Sequence, residues 1–252
     1  MPDPRPLDPR SVTPGDPWLP VEVFDRLGST NDEVRERPRP WRVVVAERQD
    51  AGRGRLGRSW TTMPATGLAV SVLVPAPVSG PSWVPLLAGL AVHRAVAEVA
   101  ALETALKWPN DVLVPLDGER KLAGLLCEGT EAGVVVGLGI NVGTERADLP
   151  VDSATSLRAA GAGDVDRAAV LTAYLVHLAR VLADDTGPGG EPQAAYAAAC
   201  ATLGREVEVH QPGDVVRAGV ATGIDDAGRL TVRTPDGAYA VAAGDVVHVR
   251  SP

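Results

Sequence analysis

Residues 43–60 read VVVAERQDAGRGRLGRSW. Val43–Ala46 is an apolar run of strand length, and it empties into a loop where Gly52, Gly54 and Gly57 are interleaved with Arg53, Arg55 and Arg58. Glycines let a backbone approach a ligand with its N–H groups turned inward. Guanidiniums this close in sequence repel one another unless water or an anion separates them. A strand followed by a basic glycine loop is a place for phosphate. The same composition also suits a solvated Arg-Gly tract or a non-specific RNA contact.

The surrounding chain of 252 residues is long enough for one large domain, or for one domain with a small appendix. Hydrophobic content of 45% beside 22% charged residues is that of a soluble globular protein, and no apolar run has the length of a membrane span. Cys127 and Cys200 stand apart, and no signal sequence opens the chain, so it reads as cytoplasmic and reduced. A net charge of -8 opposes a nucleic-acid binder and favours a small anionic ligand for the local arginine cluster.

Outward from the loop, residues 1–20 are proline-rich and poor in apolar residues, and predict a flexible arm without room for a helix-turn-helix. Val21–Leu27 is a first strand. A short helix then starts at Thr30 as N-cap, with Glu33 completing a capping box, and stops at Pro38. Gly67–Val74 is a strand and Trp83–Ala100 a deeply packed helix that carries His93 as a structural histidine. ALKWPNDVLV, RKLAGLLCEG and GVVVGLGINVG read as three strands of an antiparallel or mixed sheet. Helices follow over 167–183 and 192–203, joined by a GPGG linker. From residue 204 onward, four or five short strands with tight turns form a small β-barrel.

No phosphate-loop, dinucleotide or nucleophile-elbow signature is present, and the four histidines are too scattered for a zinc site or a triad. The second positive signal is Lys107-Trp108-Pro109-Asn110-Asp111. A lysine at a strand end, followed by an aromatic and a proline, is held rigidly enough to stabilise developing negative charge. Asn110 and Asp111 either bind a magnesium ion or cap the turn.

Together these motifs resemble the catalytic domain of the biotin protein ligases. Ser29-Thr30-Asn31, the Gln49–Trp60 loop, Lys107–Asp111, Lys121–Glu128 and Gly137–Val142 occur in that family's order. The resemblance implies an α+β fold: a mixed sheet with packed helices, like class II aminoacyl-tRNA synthetases, over 21–203, and a Src-homology-3-like barrel over 204–252. It implies a ligase that joins biotin to ATP as biotinyl-5'-AMP and passes biotin to a lysine of the biotin carboxyl carrier domain of a carboxylase. ATP with Mg2+ and biotin are the substrates, and Asp111 is a magnesium contact.

By the same resemblance Arg55 and Lys107 are catalytic. Ser29, Thr30, Asn31, Gln49, Gly52, Arg53, Gly54, Gly124, Gly137 and Gly139, with Arg55 and Lys107, bind biotin. Arg53, Arg55, Arg58, Trp60, Lys107, Asn110 and Asn141 bind the nucleotide. The expected state is a monomer or weak homodimer, bound neither to DNA nor to a membrane. The competing readings are a lipoate or octanoate ligase, a non-catalytic binding module and a DNA-binding repressor.

Overall fold

The computed structural model describes residues 6–211, 215–242 and 245–249. β1 (Glu22–Leu27), β2 (Val43–Gln49), β3 (Gly67–Val74), β4 (Ala105–Lys107), β5 (Asp111–Val114), β6 (Arg120–Thr130) and β7 (Gly133–Asn141) form one seven-stranded sheet in the order β1-β2-β3-β7-β6-β5-β4. β1 and β2 run parallel, joined through helix α1 (Thr30–Glu36), and every other pair is antiparallel, so the sheet is mixed as expected.

The alternation of side chains sorts these strands onto two faces. Val43 and Val45, Leu68, Val70, Val72 and Val74, and Val134, Val136, Leu138 and Ile140 join one large core with helices α2 (Val84–Ala100) and α3 (Arg167–Ala183). The opposite face packs a small cluster, Val44, Leu73 and Val135, against Val34 of α1, with Phe24 and Leu27 beside it. Beyond that small cluster it carries Ala69, Ser71, Gly137 and Gly139, which pair directly as Ala69↔Gly139 and Ser71↔Gly137. Residues 81–100 are apolar and long enough to cross a membrane by length and composition, but α2 lies in the core, against the sheet, α3 and helix α4 (Glu191–Ala199).

Three expectations change. The arm is packed over residues 6–20: Leu7, Val12 and Trp18 are buried, Leu7 N–H donates to Glu47 Oε1 at 2.7 Å, and the Trp18 indole donates to Leu175 O at 3.0 Å. Prolines reduce the freedom lost on ordering, so a few buried anchors suffice; residues 1–5 lie outside the described residues. The helix N-cap is Ser29 rather than Thr30, because the Thr30 hydroxyl is drawn to Gln49 and Ser71, and Glu33 turns to Arg37 and Arg42. ALKWPNDVLV is two strands, β4 and β5, around a turn with a cis Trp108–Pro109 bond.

That turn also holds the carboxyl-terminal unit. β8 (Glu206–Gln211), β9 (Val215–Ile224), β10 (Leu230–Thr234), β11 (Gly237–Val241) and β12 (Asp245–His248) make a five-stranded antiparallel sheet in the order β11-β10-β9-β8-β12. The Trp108 indole donates to Gly228 O at 3.0 Å and the Trp83 indole to Asp226 O at 2.9 Å, both in the turn before β10. Trp108 N–H donates to Thr202 Oγ1 at 3.1 Å, and the same oxygen lies 3.0 Å from His248 Nε2.

Arg205, paired with Glu119, points a donor at His248 Nδ1 from 3.4 Å, so His248 is neutral with its proton on Nε2. Burial, then Lys107 and Arg205, bring its pKa down to about 4. The unfolded chain takes up this proton near pH 6.5, before the folded one does. Stability is therefore expected to be full above pH 6.5 and to fall by on the order of 1 kcal/mol as pH drops toward about 4, after discounting for partial exposure. Urea titrations across that window should detect the loss in the wild type and find it flattened in His248→Gln.

Candidate active site

The side-chain-poor face of β3, β6 and β7 is the floor of a cavity of about 540 Å3. The start of α1 supplies Ser29, Thr30 and Asn31, the end of β2 supplies Gln49, and the arginine loop forms the wall and rim. Gly137 has no room for a side chain, since a Cβ there would stand 2.3 Å from Asn31 Oδ1. A Cβ on Gly139 would stand 2.1 Å from the Trp60 ring, and one on Gly124 would stand 2.8 Å from Lys121 Nζ. The three glycines thus admit Asn31, Trp60 and Lys121 onto the sheet.

Polar groups on the floor are proton-ordered. Thr30 N–H donates to Gln49 Oε1 at 2.9 Å. Ser71 Oγ, fully buried, lies 2.6 Å from Asn31 Oδ1 and 2.7 Å from Thr30 Oγ1. A carboxamide oxygen has no proton to give, so the Ser71 hydroxyl donates to Asn31 and the Thr30 hydroxyl, 3.1 Å from Gln49 Oε1, donates to Gln49. Asn31 Nδ2 donates in turn to Leu126 O at 3.2 Å and to Glu128 Oε2 at 2.6 Å. The helix itself is clamped from behind by Arg42, which is 2% exposed and bonds both oxygens of Glu22, the Glu33 carboxylate and the Glu33 and Arg37 carbonyls.

The arginine loop is a small hairpin. Trp60 N–H donates to Gly52 O at 2.8 Å and Gly54 N–H to Arg58 O at 2.7 Å, with Arg55–Gly57 as a 3-10 turn at the tip. Gly52 lies outside the cavity lining and serves the hairpin, where a Cβ would stand 2.3 Å from Trp60 O. Arg53, Gly54, Arg55, Arg58 and Trp60 all line the cavity. Arg55 Nη1 donates to Asn110 Oδ1 at 3.3 Å, and Asn110 Nδ2 is anchored on Leu125 O at 2.8 Å.

Lys107 is a correction to the sequence reading. It lies outside the cavity lining, and its charge is felt by His248 of the carboxyl-terminal unit. The lysine inside is Lys121, the first cation of KLAG. Its backbone is gripped by the 153–155 segment, through Lys121 N–H to Ser153 O and Thr155 N–H to Lys121 O, both 2.8 Å. Its Nζ lies 2.6 Å from Asp111 Oδ1 and 5.6 Å above the centre of the Trp60 ring. Both lysines flank apolar strands, so only the packing of β5 against β6 distinguishes them.

Asn141 lines the cavity, and its Nδ2 donates to Thr155 O at 2.9 Å, so this amide also braces the 153–155 segment. Asp111 is the single carboxylate among the described lining residues, and no group of three possible metal ligands occurs among the described residues. With one oxygen beside Lys121, Asp111 suits a metal that arrives already held by a nucleotide better than a resident ion. Burial pushes the Cys127 thiol up to about 12, which keeps it in the protonated form.

The biotin/lipoate A/B protein ligase family matches residues 23–145, and the biotin protein ligase C-terminal domain matches 202–249. The chain is 37% identical to a biotin--[acetyl-CoA-carboxylase] ligase of Mycobacterium tuberculosis, over 97% of either chain. The chain belongs to the biotin protein ligase family. It is also 31% identical to the bifunctional ligase/repressor BirA of Bacillus subtilis, over 81% of this chain and 65% of that protein. The biotin protein ligase of Aquifex aeolicus, solved in complex with biotin and ATP, superposes with a TM-score of 0.79 at 29% identity, covering 92% of this chain and 99% of that one. The α+β class and the carboxyl-terminal β unit expected from the sequence are thus those of the family.

Gly137→Ala should push Asn31 Oδ1 off Ser71 and leave buried polar atoms unpaired, lowering stability by about 1–3 kcal/mol. Gly129→Ala, with nothing within 4 Å of its new Cβ, should change it by less than about 0.5 kcal/mol. Urea denaturation of the two variants checks the pair.

Proposed function

We propose that this ligase activates biotin with ATP in the cavity between α1, the arginine hairpin and the sheet, then hands biotin to a lysine of a biotin carboxyl carrier domain. The observation that carries this reading is the charge inventory of the cavity. Arg53, Arg55, Arg58 and Lys121 converge on one space whose lining contains the single carboxylate Asp111, itself beside Lys121.

In the first step a biotin carboxylate oxygen bonds to the α-phosphorus and the bond to the pyrophosphate oxygen breaks. The reactants are both anions, so neutralisation and alignment supply most of the catalysis. Arg53 and Arg58 at the rim take the polyphosphate, with its magnesium arriving as part of the nucleotide substrate. Lys121 and Arg55 take the carboxylate and the α-phosphate oxygens. Arg55 is oriented by Asn110, and Lys121 by Asp111 and by the backbone of residues 153–155. Ser29, Thr30, Asn31 and Gln49 offer the floor's donors and acceptors to the biotin rings, over glycines that keep the sheet low.

Trp60 covers the mixed anhydride and, with the hairpin, keeps water away from it. In the second step the neutral acceptor amine attacks the acyl carbon and AMP leaves. The carrier meets the protein in the cytoplasm, where Cys127 and Cys200 remain thiols.

Pyrophosphate release from ATP tests this reading, with biotin in one tube and lipoate in another. Biotin-dependent release is expected, and release with lipoate alone would move the chain to lipoate attachment. Lys121→Ala is expected to lose about a hundredfold or more in adenylation rate, whereas Lys107→Ala stays within about threefold. The reverse pattern would restore Lys107 to the site.

A further inference from the structure

A run of hydrogen bonds joins the cavity floor to the arginine hairpin, and the reaction steps above do not use it. It starts at Ser71, passes through the Asn31 carboxamide, and reaches Glu128 Oε2 at 2.6 Å. The same carboxylate oxygen accepts from Arg53 Nη2 at 3.3 Å, and Glu128 Oε1 lies 3.4 Å from Arg35 Nη1. Arg53 Nη2 also donates to Asp32 Oδ1 at 2.6 Å. One carboxylate oxygen is therefore shared between a buried amide on the floor and the first guanidinium of the hairpin.

We propose that Glu128 is a positioning residue that couples the floor of the biotin site to the arginine hairpin. Asn31 is fixed on three sides, by Ser71, Leu126 O and the close approach to Gly137, so Glu128 is held from the inside and presents a fixed anchor to Arg53. Arg53 is partly exposed, so this anchor is weak enough for an anionic ligand group to compete for the same guanidinium. Because Asn31 holds Glu128 in place, the floor of the biotin site sets where Arg53 and its hairpin rest. Sequence reading treats Glu128 as the end of a core strand; the register that sets it on the same face as Gly124 and Leu126 gives it this second partner.

The identity of the ligand rests on the biotin-activation reading, but the coupling can be measured without substrate. Amide hydrogen exchange of Gly54 and Trp60, whose N–H groups close the hairpin, reports its opening in the full-length protein. In Glu128→Gln at low salt, exchange at both amides should be about threefold to fivefold faster than in the wild type. About 0.5 M NaCl should speed exchange in the wild type more than in the variant, where Asp32 alone still pairs with Arg53, and so narrow the gap between them. Asp32→Asn, which removes the other carboxylate from Arg53, should act in the same direction, and Glu128→Asp, which keeps the charge but shortens its reach, stands in if Glu128→Gln does not fold.

In the adenylation assay, Glu128→Gln should raise the KM for biotin about threefold with a smaller change in kcat, a split that general destabilisation does not produce. Unchanged exchange in both variants, or an unchanged KM in a folded Glu128→Gln, overturns the proposal. Absence of any biotin-dependent pyrophosphate release would instead sink the ligase reading and leave the exchange result standing.

Discussion

A sheet must be covered on both faces, and here the middle of one face has almost nothing with which to cover itself. Ala69, Ser71, Gly137, Gly139 and Gly124 are neighbours across three strands, so the face that α1 only partly shields is a shallow, side-chain-poor floor. Backbone pairing keeps that floor flat and intact, because every strand through it has hydrogen-bonded neighbours on both sides. Everything else at the site is a device for reaching the floor: the α1 amino terminus descends on Gly137, Trp60 on Gly139, and Lys121 bends over Gly124.

The remaining structure secures those devices from the outside. Arg42 clamps α1 by its carboxyl half, so the amino half is free to present Thr30 and Asn31. A second buried pair, Arg167 with Glu47, ties the start of α3 to β2, and Glu47 also accepts N–H groups from Leu7 and Ala65. Burial raises the pKa of Glu47, but Arg167 and those two amides outweigh it and hold the carboxyl below its usual range. Residues near the amino terminus therefore share one carboxylate with the segment that leads into β3. Pairs so enclosed are worth little against an apolar replacement, yet are costly to break from one side only.

Much of this was legible in the sequence because it obeys local rules. GLAVSVLV is a strand on β-branched content alone, and its one polar residue, Ser71, falls where alternation turns the chain to the cavity side. The glycine-arginine loop, Ser29-Thr30-Asn31 and Gln49 come together as their motif order implies. What could not be read depends on register and on distant partners. Lys107 and Lys121 look alike in sequence, and only the folding back of β5 on β6 sets one inside and the other beside His248. Residues 6–20 look like an arm because composition counts apolar residues without weighing their placement, whereas Leu7, Val12 and Trp18 each land in the core. Ser71 carries no motif at all, and Glu128 merely closes one.

The Trp108–Pro109 turn looks in two directions. Asn110 and Asp111 face the cavity, while Trp108, immediately before Pro109, meets Thr202 through its backbone N–H and the Gly228 carbonyl of the other unit through its indole. The carboxyl-terminal sheet is thus not a free module on a tether. Its docking socket and a wall of the reaction chamber are consecutive residues of one tight turn. Chimaeras that exchange this unit between relatives have to preserve the tryptophan socket together with the turn that fills it, and their crossover points are best chosen well away from the helix–strand junction around residue 202.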